Sequence, residues 1–234
     1  MISSAARASA AAGIAGPVAF TSAWIASSLR QTGYPVAEIQ LSGLAAPDAR
    51  DPWIMVAGFA VLGGCTVAFG AALHDALGHA AGGRGRWRGG VGQGRWRGGA
   101  GLAPRLIQGA GLLTIAAGLL RRDRMLLTPG SVSWHNHAHD VISARIYADL
   151  VAAQVLLAAR FGRDPGLGAE DWKRWRPWML ASGLATGATL VAFAAQTSAA
   201  GAGVLQRIAV TIPLAAIAAV ATRLLRTPAR SGWP

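Results

Sequence analysis

The chain has 234 residues, of which 53% are hydrophobic and 14% are charged, and its formal net charge is +12. Soluble domains carry about 25% charged residues, so this composition argues against a soluble protein and indicates a polytopic membrane protein. The single cysteine, Cys65, excludes an intrachain disulfide and a metal site built from several cysteines. The positive charge is typical of cytoplasmic loops, and nucleic acid is not an expected partner.

Six apolar segments follow one another, each close to the roughly 20 residues that cross about 30 Å of hydrocarbon. Strands of a membrane barrel would be half as long and would alternate. We therefore predict an all-α, multi-pass membrane bundle that forms a single domain over residues 1–234. Pro17 and the length of the first run favour an uncleaved span over a signal peptide. The predicted spans are about 10–29, 53–74, 104–120, 138–159, 178–197 and 202–222.

The basic residues predict the orientation of the bundle. Fifteen of them fall in the two tails, the loop after span two and the loop after span four, whereas five fall in the other loops. The positive-inside rule then places both termini in the cytoplasm, and we expect a location in the cytoplasmic membrane. The loops at 30–52 and 121–137 face outward, and the first is long enough to fold over the helix ends as a lid.

The loop between spans two and three contains the repeat Gly-Arg-Trp-Arg-Gly-Gly, at 85–90 and again at 94–99. Its glycine content predicts a disordered cytoplasmic loop over residues 76–103. Arginine beside tryptophan also suits contact with anionic lipid headgroups, and Arg-Gly segments bind single-stranded RNA in other proteins. The simplest interpretation is a solvated, positively charged loop.

Polar residues concentrate where span four begins, at Ser133–Asp140. At about 100° per residue, His135 and His139 share one half of the helix with Arg145 and Asp149, which are four apart and can pair. This pattern predicts a polar seam that faces the bundle interior on the outer side of the membrane. The candidates for acid–base or catalytic work are His135, His139, Asp123 and Asp149. The candidates for ligand binding are Arg145, Arg207, Gln206 and Glu38.

Several chemistries fit these residues. His135 and His139 can bind zinc, with Asp123 or Asp149 as a third ligand, which would make a hydrolase site, although no HExxH pattern is present. The same groups can carry protons or ions, or they can simply fix helix packing. Our leading hypothesis is binding or handling of a lipid-like or other small molecule, with membrane lipids as partners. The alternatives are a membrane-embedded metal-dependent hydrolase or acid–base catalyst on a lipid or isoprenoid, and a structural or accessory subunit.

Several short motifs follow one another along the chain: Ala15-Gly16-Pro17, Tyr34-Pro35, Trp53-Ile54-Met55, Gly58-Phe59, Asp123, Trp134-His135, His139-Asp140 and Gln206-Arg207. In the order and spacing of these motifs, the chain resembles the domain-of-unknown-function 998 proteins, which are small six-span bacterial membrane proteins. The resemblance covers nearly the whole chain and implies the fold and topology without implying a function. Many relatives carry a Ser-Glu pair in the outer loop, where this chain has Ser42 followed by Gly43. If that carboxylate is catalytic in relatives, its replacement by Gly43 changes what this chain can do.

Overall fold

The fold is a bundle of six long helices in a computed structural model that describes residues 4–82, 101–126, 132–161, 172–195 and 200–226. All six helices are long and apolar enough to cross a membrane, and no strand occurs within these ranges. The predicted all-α membrane bundle is therefore confirmed. The helices are α1 (Ser4–Arg30), α2 (Trp53–Gly82), α3 (Leu102–Leu119), α4 (Trp134–Phe161), α5 (Trp175–Ala194) and α6 (Ala202–Arg226).

Each helix packs against the next one in the chain, and α6 packs against α1, so the six helices close into a ring. Small residues allow the close approaches that membrane helices need, because lipid supplies no hydrophobic force between helices. The backbones of α2 and α3 meet at Gly63 and Gly111. A Cβ atom added to Gly63 would lie 2.5 Å from the carbonyl oxygen of Gly111, so neither position admits a side chain without separating the helices.

Residues 31–52, which we call the lid loop, fold back onto the end of the bundle, as expected for a lid. A short 3-10 helix, Leu41–Ala45, lies inside this loop, and all of its residues are buried. Leu41 and Leu44 pack in one hydrophobic cluster with Phe20 of α1 and Met55 of α2. Burial of these leucines stabilises the lid by about 1.5–3 kcal/mol for each side chain.

The lid loop and the α3–α4 connection lie at the same end of the bundle, which we call the lid end. The amide of Met125 donates to the Asp48 carboxylate over 2.8 Å and joins the two connections. The predicted Arg/Gly-rich loop 76–103 lies at the opposite end and is described only at its margins. There α2 continues to Gly82 and α3 begins at Leu102, while residues 83–100 lie outside the described ranges.

Candidate ligand cavity beneath the lid loop

The start of α4 is built around Asp123. Its carboxylate accepts hydrogen bonds from the Ser133 amide, over 2.7 Å, and from the Ser133 hydroxyl. Ser133 in turn caps the helix, because its Oγ accepts from the amide of Asn136 over 3.3 Å. The bonds from the Ser133 hydroxyl and amide hold the pKa of Asp123 below its ordinary value, and His135 and Arg122 add to this effect. Asp123 thus anchors the α3–α4 connection to the first turn of α4.

Two buried polar residues beside Asp123 were not among the predicted site residues. Asn136 is fully buried, and its amide donates to Asp140 over 2.9 Å. Arg122 is also buried and donates from Nη1 to the Gln40 side chain of the lid loop. Burial lowers the pKa of the Arg122 guanidinium, while Asp140 and Asp123 oppose that shift. The position of Asn136 inside the histidine-rich stretch could have marked it as a site residue. Nothing in the sequence indicates that Arg122 contacts Gln40.

His139 is the histidine that enters the bundle. Its ring is buried, and Nδ1 lies 3.0 Å from the Ala117 carbonyl oxygen and 2.8 Å from that of Leu120. These are end carbonyls of α3, which no backbone amide of that helix satisfies. Carbonyl oxygens only accept, so Nδ1 carries the hydrogen and Nε2 of the neutral ring is an acceptor. His139 therefore joins α4 to α3 and keeps one nitrogen for another partner.

A cavity of about 70 Å³ lies at the centre of the bundle below the lid loop, and His139 is part of its wall. Apolar side chains from α1, α2, α3, α4 and α6 form most of that wall. No Asp, Glu, Lys or Arg side chain of the described residues lines it. The polar side chains that line it are Ser42, Thr66, Thr114, His139, Ser143, Tyr147 and Gln206.

The hydroxyl groups around this cavity fall into two kinds. Thr66 and Thr114 each donate over 2.7 Å to a carbonyl of their own helix, so their hydrogens are used. The hydroxyls of Ser143 and Tyr147 have no hydrogen-bond partner among the described residues. Ser143 and Tyr147 follow His139 at intervals of four along α4, so they lie on the same helix face. Their arrangement gives the cavity a short column of polar groups in an otherwise apolar wall.

Of the predicted site residues, His139 and Gln206 meet at this cavity. Gln206 is buried, and its Oε1 accepts from the amide of Leu41, at the start of the 3-10 helix in the lid loop. Its Nε2 group makes no hydrogen bond within the described ranges. Gln206 therefore fixes the lid above the cavity and keeps two N–H donors.

His135 and Glu38 do not line the cavity. His135 is exposed, and its ring stacks on Trp134 with 3.7 Å between centroids and an interplanar angle of 28°. Glu38 is also exposed, on the lid loop. In the part of the chain that the structure describes, no three His, Cys, Asp or Glu side chains gather as a metal site would require. The proposed zinc pair of His135 and His139 thus has one exposed and one buried member.

Arg145 and Asp149 pair as their spacing predicts, with 2.8 Å between Nε and Oδ1. The Arg145 side chain is 64% exposed, however, while that of Asp149 is 8% exposed and lies against Gly109 of α3. Arg145 therefore lies on the outer surface of the bundle and not in its interior, where the helical wheel placed both residues, whereas Asp149 is buried beside α3. A wheel shows which residues share a face of the helix but not which face points inward.

Arg207 lies beside the cavity but is directed into the lid loop. Its Nη1 donates to the carbonyls of Val36, Ile39 and Gly203 over 2.8 to 3.0 Å. Its Nη2 donates to the Tyr34 hydroxyl over 2.6 Å. The guanidinium also lies 5.5 Å from the centroid of the Trp24 ring, within cation–π range. These contacts hold the lid loop to α1 and α6.

A second, smaller cavity of about 20 Å³ continues the line of the first toward the other end of the bundle. Leu150 and Ile217 line both cavities and separate them. Gln154 lines the smaller one, and its Oε1 accepts from the Ser182 hydroxyl. Its Nε2 is buried and has no partner among the described residues. The volume suffices for one water molecule, which needs about 10–15 Å³.

Comparison with known proteins bears on the first part of the chain. The model of the family described as "Protein of unknown function (DUF998)" matches residues 14–92, which include most of α1, the lid loop and α2. No curated protein and no solved structure matches the chain. The matched region holds the lid loop and two of the helices that line the cavity. Over these residues the chain is similar to the DUF998 family, and its six apolar helices are those of a multi-pass membrane protein.

Proposed function

We propose that this protein binds a slender, single-chain amphiphile with an uncharged polar head in the cavity below the lid loop. The observation that carries the proposal is the composition of the cavity wall. His139, Ser143, Tyr147 and Gln206 supply a few polar groups in a wall that is otherwise apolar. Binding sites for small molecules are typically apolar with a small number of placed polar groups.

The polar groups of the wall favour a neutral head. Nε2 of His139 offers an acceptor, whereas Tyr147, Ser143 and the amide of Gln206 offer donors. A phosphate or carboxylate buried here would lack a cationic partner, and an unpaired buried charge is costly. An alcohol, an amide or an isoprenol would satisfy these donors and the acceptor without that cost.

The size of the cavity restricts the apolar part of the ligand. A volume of about 70 Å³ is several times what one water needs, yet it is small for a two-chain phospholipid. A single acyl or isoprenoid chain would pack against Phe20, Leu62 and Leu214 of the wall. A longer chain would extend past Leu150 and Ile217 or leave the bundle between helices.

We further propose that the lid end faces the outside of the cytoplasmic membrane. The support is the excess of basic residues in the loops and tails at the opposite end. In this orientation the head of the ligand would lie below the outer surface, under the lid loop. Its chain would lie at the depth of the outer leaflet.

Proton transfer to or from the bound ligand by His139 is the second candidate function. It is favoured by the neutral ring, whose Nδ1 is held by α3 carbonyls and whose Nε2 remains an acceptor. Substitution His139→Gln retains a polar side chain and removes the titrating group. Loss of ligand turnover with ligand binding retained would favour catalysis, and loss of binding alone would favour the binding function.

Photolabelling with a single-chain alcohol that carries a diazirine tests the main proposal. We would compare purified wild type with Ser143→Leu, which fills the cavity, and with Ala188→Leu, which changes an exposed alanine of α5. We expect labelling of α2, α3 or α6 in the wild type, several-fold less in Ser143→Leu and no change in Ala188→Leu. Equal labelling of wild type and Ser143→Leu would refute the proposal.

A further inference from the structure

Arg145 is a charged residue of the membrane-spanning helix α4, on the face of that helix that points away from the bundle. At 1.5 Å per residue it lies about 16 Å along α4 from Trp134, which is roughly half the thickness of the hydrocarbon layer. Charged residues within spans almost always face the bundle interior or a water-filled cavity. The side chain of Arg145 is instead 64% exposed.

The guanidinium cannot relieve this exposure by reaching the nearer membrane surface. It is held instead at Asp149, one turn further along α4, by the 2.8 Å bond from Nε to Oδ1. Within the described ranges, this bond is the only one that the guanidinium makes, so both Nη groups are left for a partner outside the bundle. A covering surface with hydrogen-bond acceptors would satisfy them.

The residues around Arg145 form a narrow strip that admits another helix closely. At about 100° per residue, Val141, Ala144, Ala148, Ala152 and Val155 lie within about 60° of one line along α4. All of them are exposed, and we call them with Arg145 the α4 strip. Alanines at intervals of four allow two membrane helices to approach until backbone carbonyls are within reach of side-chain donors.

We propose that the α4 strip binds the α4 strip of a second copy of this chain in a parallel, twofold-symmetric contact. The charges of the strip favour a second copy over an unrelated helix with a carboxylate. Arg145 and Asp149 together are neutral, so an added carboxylate would leave one charge unpaired in hydrocarbon. A second copy brings an equally neutral pair, and each Arg145 can bridge its own Asp149 and the acceptors of the other chain. Such a contact is self-complementary, as twofold symmetry requires.

Disulfide cross-linking in native membranes tests the proposal, since equal positions meet at a twofold axis. In a Cys65→Ala background, we would compare Ala148→Cys with Ala188→Cys, an exposed position at similar depth on α5. We expect a product of twice the chain's mass from Ala148→Cys, at several-fold higher yield than from Ala188→Cys. Equal yields, no product from Ala148→Cys, or a product that contains another protein would each overturn the proposal.

Substitutions on the strip supply a second readout that does not depend on cysteine chemistry. Ala148→Phe adds a bulky group on the outside of the bundle, and Ala188→Phe is its matched control. We expect Ala148→Phe to lower the dimer fraction, counted by single-molecule photobleaching in bilayers, several-fold, with the control unchanged. The double variant Arg145→Leu/Asp149→Leu removes both charges and leaves neither unpaired. A folded double variant that dimerises as well as the wild type would overturn the role of Arg145.

Discussion

Arg207 of α6 donates a hydrogen bond of 2.6 Å from Nη2 to the hydroxyl of Tyr34 in the lid loop. The same guanidinium donates from Nη1 to Val36, Ile39 and Gly203. The residue before it, Gln206, lines the cavity and accepts from Leu41. One turn of α6 therefore sets both the position of the lid and part of the wall beneath it.

Substitution Arg207→Lys should destabilise the lid. Lysine keeps the charge but lacks the planar guanidinium group with its several N–H donors. It therefore cannot donate hydrogen bonds to Tyr34 and to the carbonyls of the lid loop at the same time. We expect a loss of about 2–4 kcal/mol in the free energy of unfolding, measured by thermal unfolding in detergent. Arg226→Lys, at the exposed end of α6, is the control and should change nothing. Equal melting temperatures of the two variants would show that the guanidinium group of Arg207 does not hold the lid loop in place.

Substitution Gly43→Ala should also destabilise the lid loop, through a steric clash and without any change of charge. A Cβ atom at this position would lie 2.5 Å from the carbonyl oxygen of Met125, which is backbone and cannot rotate away. We expect destabilisation by about 1–3 kcal/mol. Gly64→Ala is the matched control, because nothing lies within 4 Å of its added Cβ. A Gly43→Ala variant as stable as Gly64→Ala would contradict the tight contact.

The same contact bears on the Ser-Glu pair of relatives. A glutamate at position 43 would need the α3–α4 connection near Met125 to move. Activity that depends on a carboxylate there would therefore require a different lid from the one in this chain.

The stability of the α3–α4 connection should depend on pH through Asp123. Its pKa is held below the ordinary value of 3.8 by Ser133, so the ionised form stabilises the fold. That contribution is present above the unfolded-state pKa and is lost as pH falls through the folded-state pKa. We expect the stability difference between wild type and Asp123→Asn to shrink between about pH 5 and pH 3, followed by unfolding at fixed temperature. A difference that stays constant over this window would exclude the Asp123–Ser133 bonds as its source.

Substitution Tyr147→Phe should weaken ligand binding without affecting the fold. It removes a hydroxyl that lines the cavity and has no protein partner in the described ranges. We expect affinity for a single-chain alcohol to fall about 2- to 10-fold, the value of one neutral hydrogen bond. Thr222→Val is the control, since its hydroxyl bonds to Ala218 of the same helix and lies outside the cavity. Unchanged affinity in Tyr147→Phe would show that the Tyr147 hydroxyl does not bind the ligand.

Substitution Asp149→Leu should be worse than removal of the whole ion pair. Alone it leaves Arg145 without its 2.8 Å partner inside the membrane. We expect the free energy of unfolding of the single variant to be about 1–3 kcal/mol lower than that of Arg145→Leu/Asp149→Leu. Unfolding in mixed micelles measures both values. A double variant less stable than the single one would show that the pair contributes net stability.

The sequence alone determined the six-helix membrane fold, because hydrocarbon admits only segments whose backbone groups bond internally. It also determined local relationships, such as the pairing of Arg145 with Asp149, since residues four apart meet on any helix. Its resemblance to the DUF998 family was likewise readable from motif order.

Only the tertiary structure decided which polar residues share a site. His135 and His139 lie on the same half of α4, yet one is exposed and the other buried. Arg122 and Gln40 are 82 positions apart and meet because the lid folds over α3. In water, polar and apolar faces of a helix reveal which side is buried. In a membrane the lipid is as apolar as the bundle interior. The inward face of a helix therefore depends on its packing against other helices, which the sequence of that helix alone does not reveal.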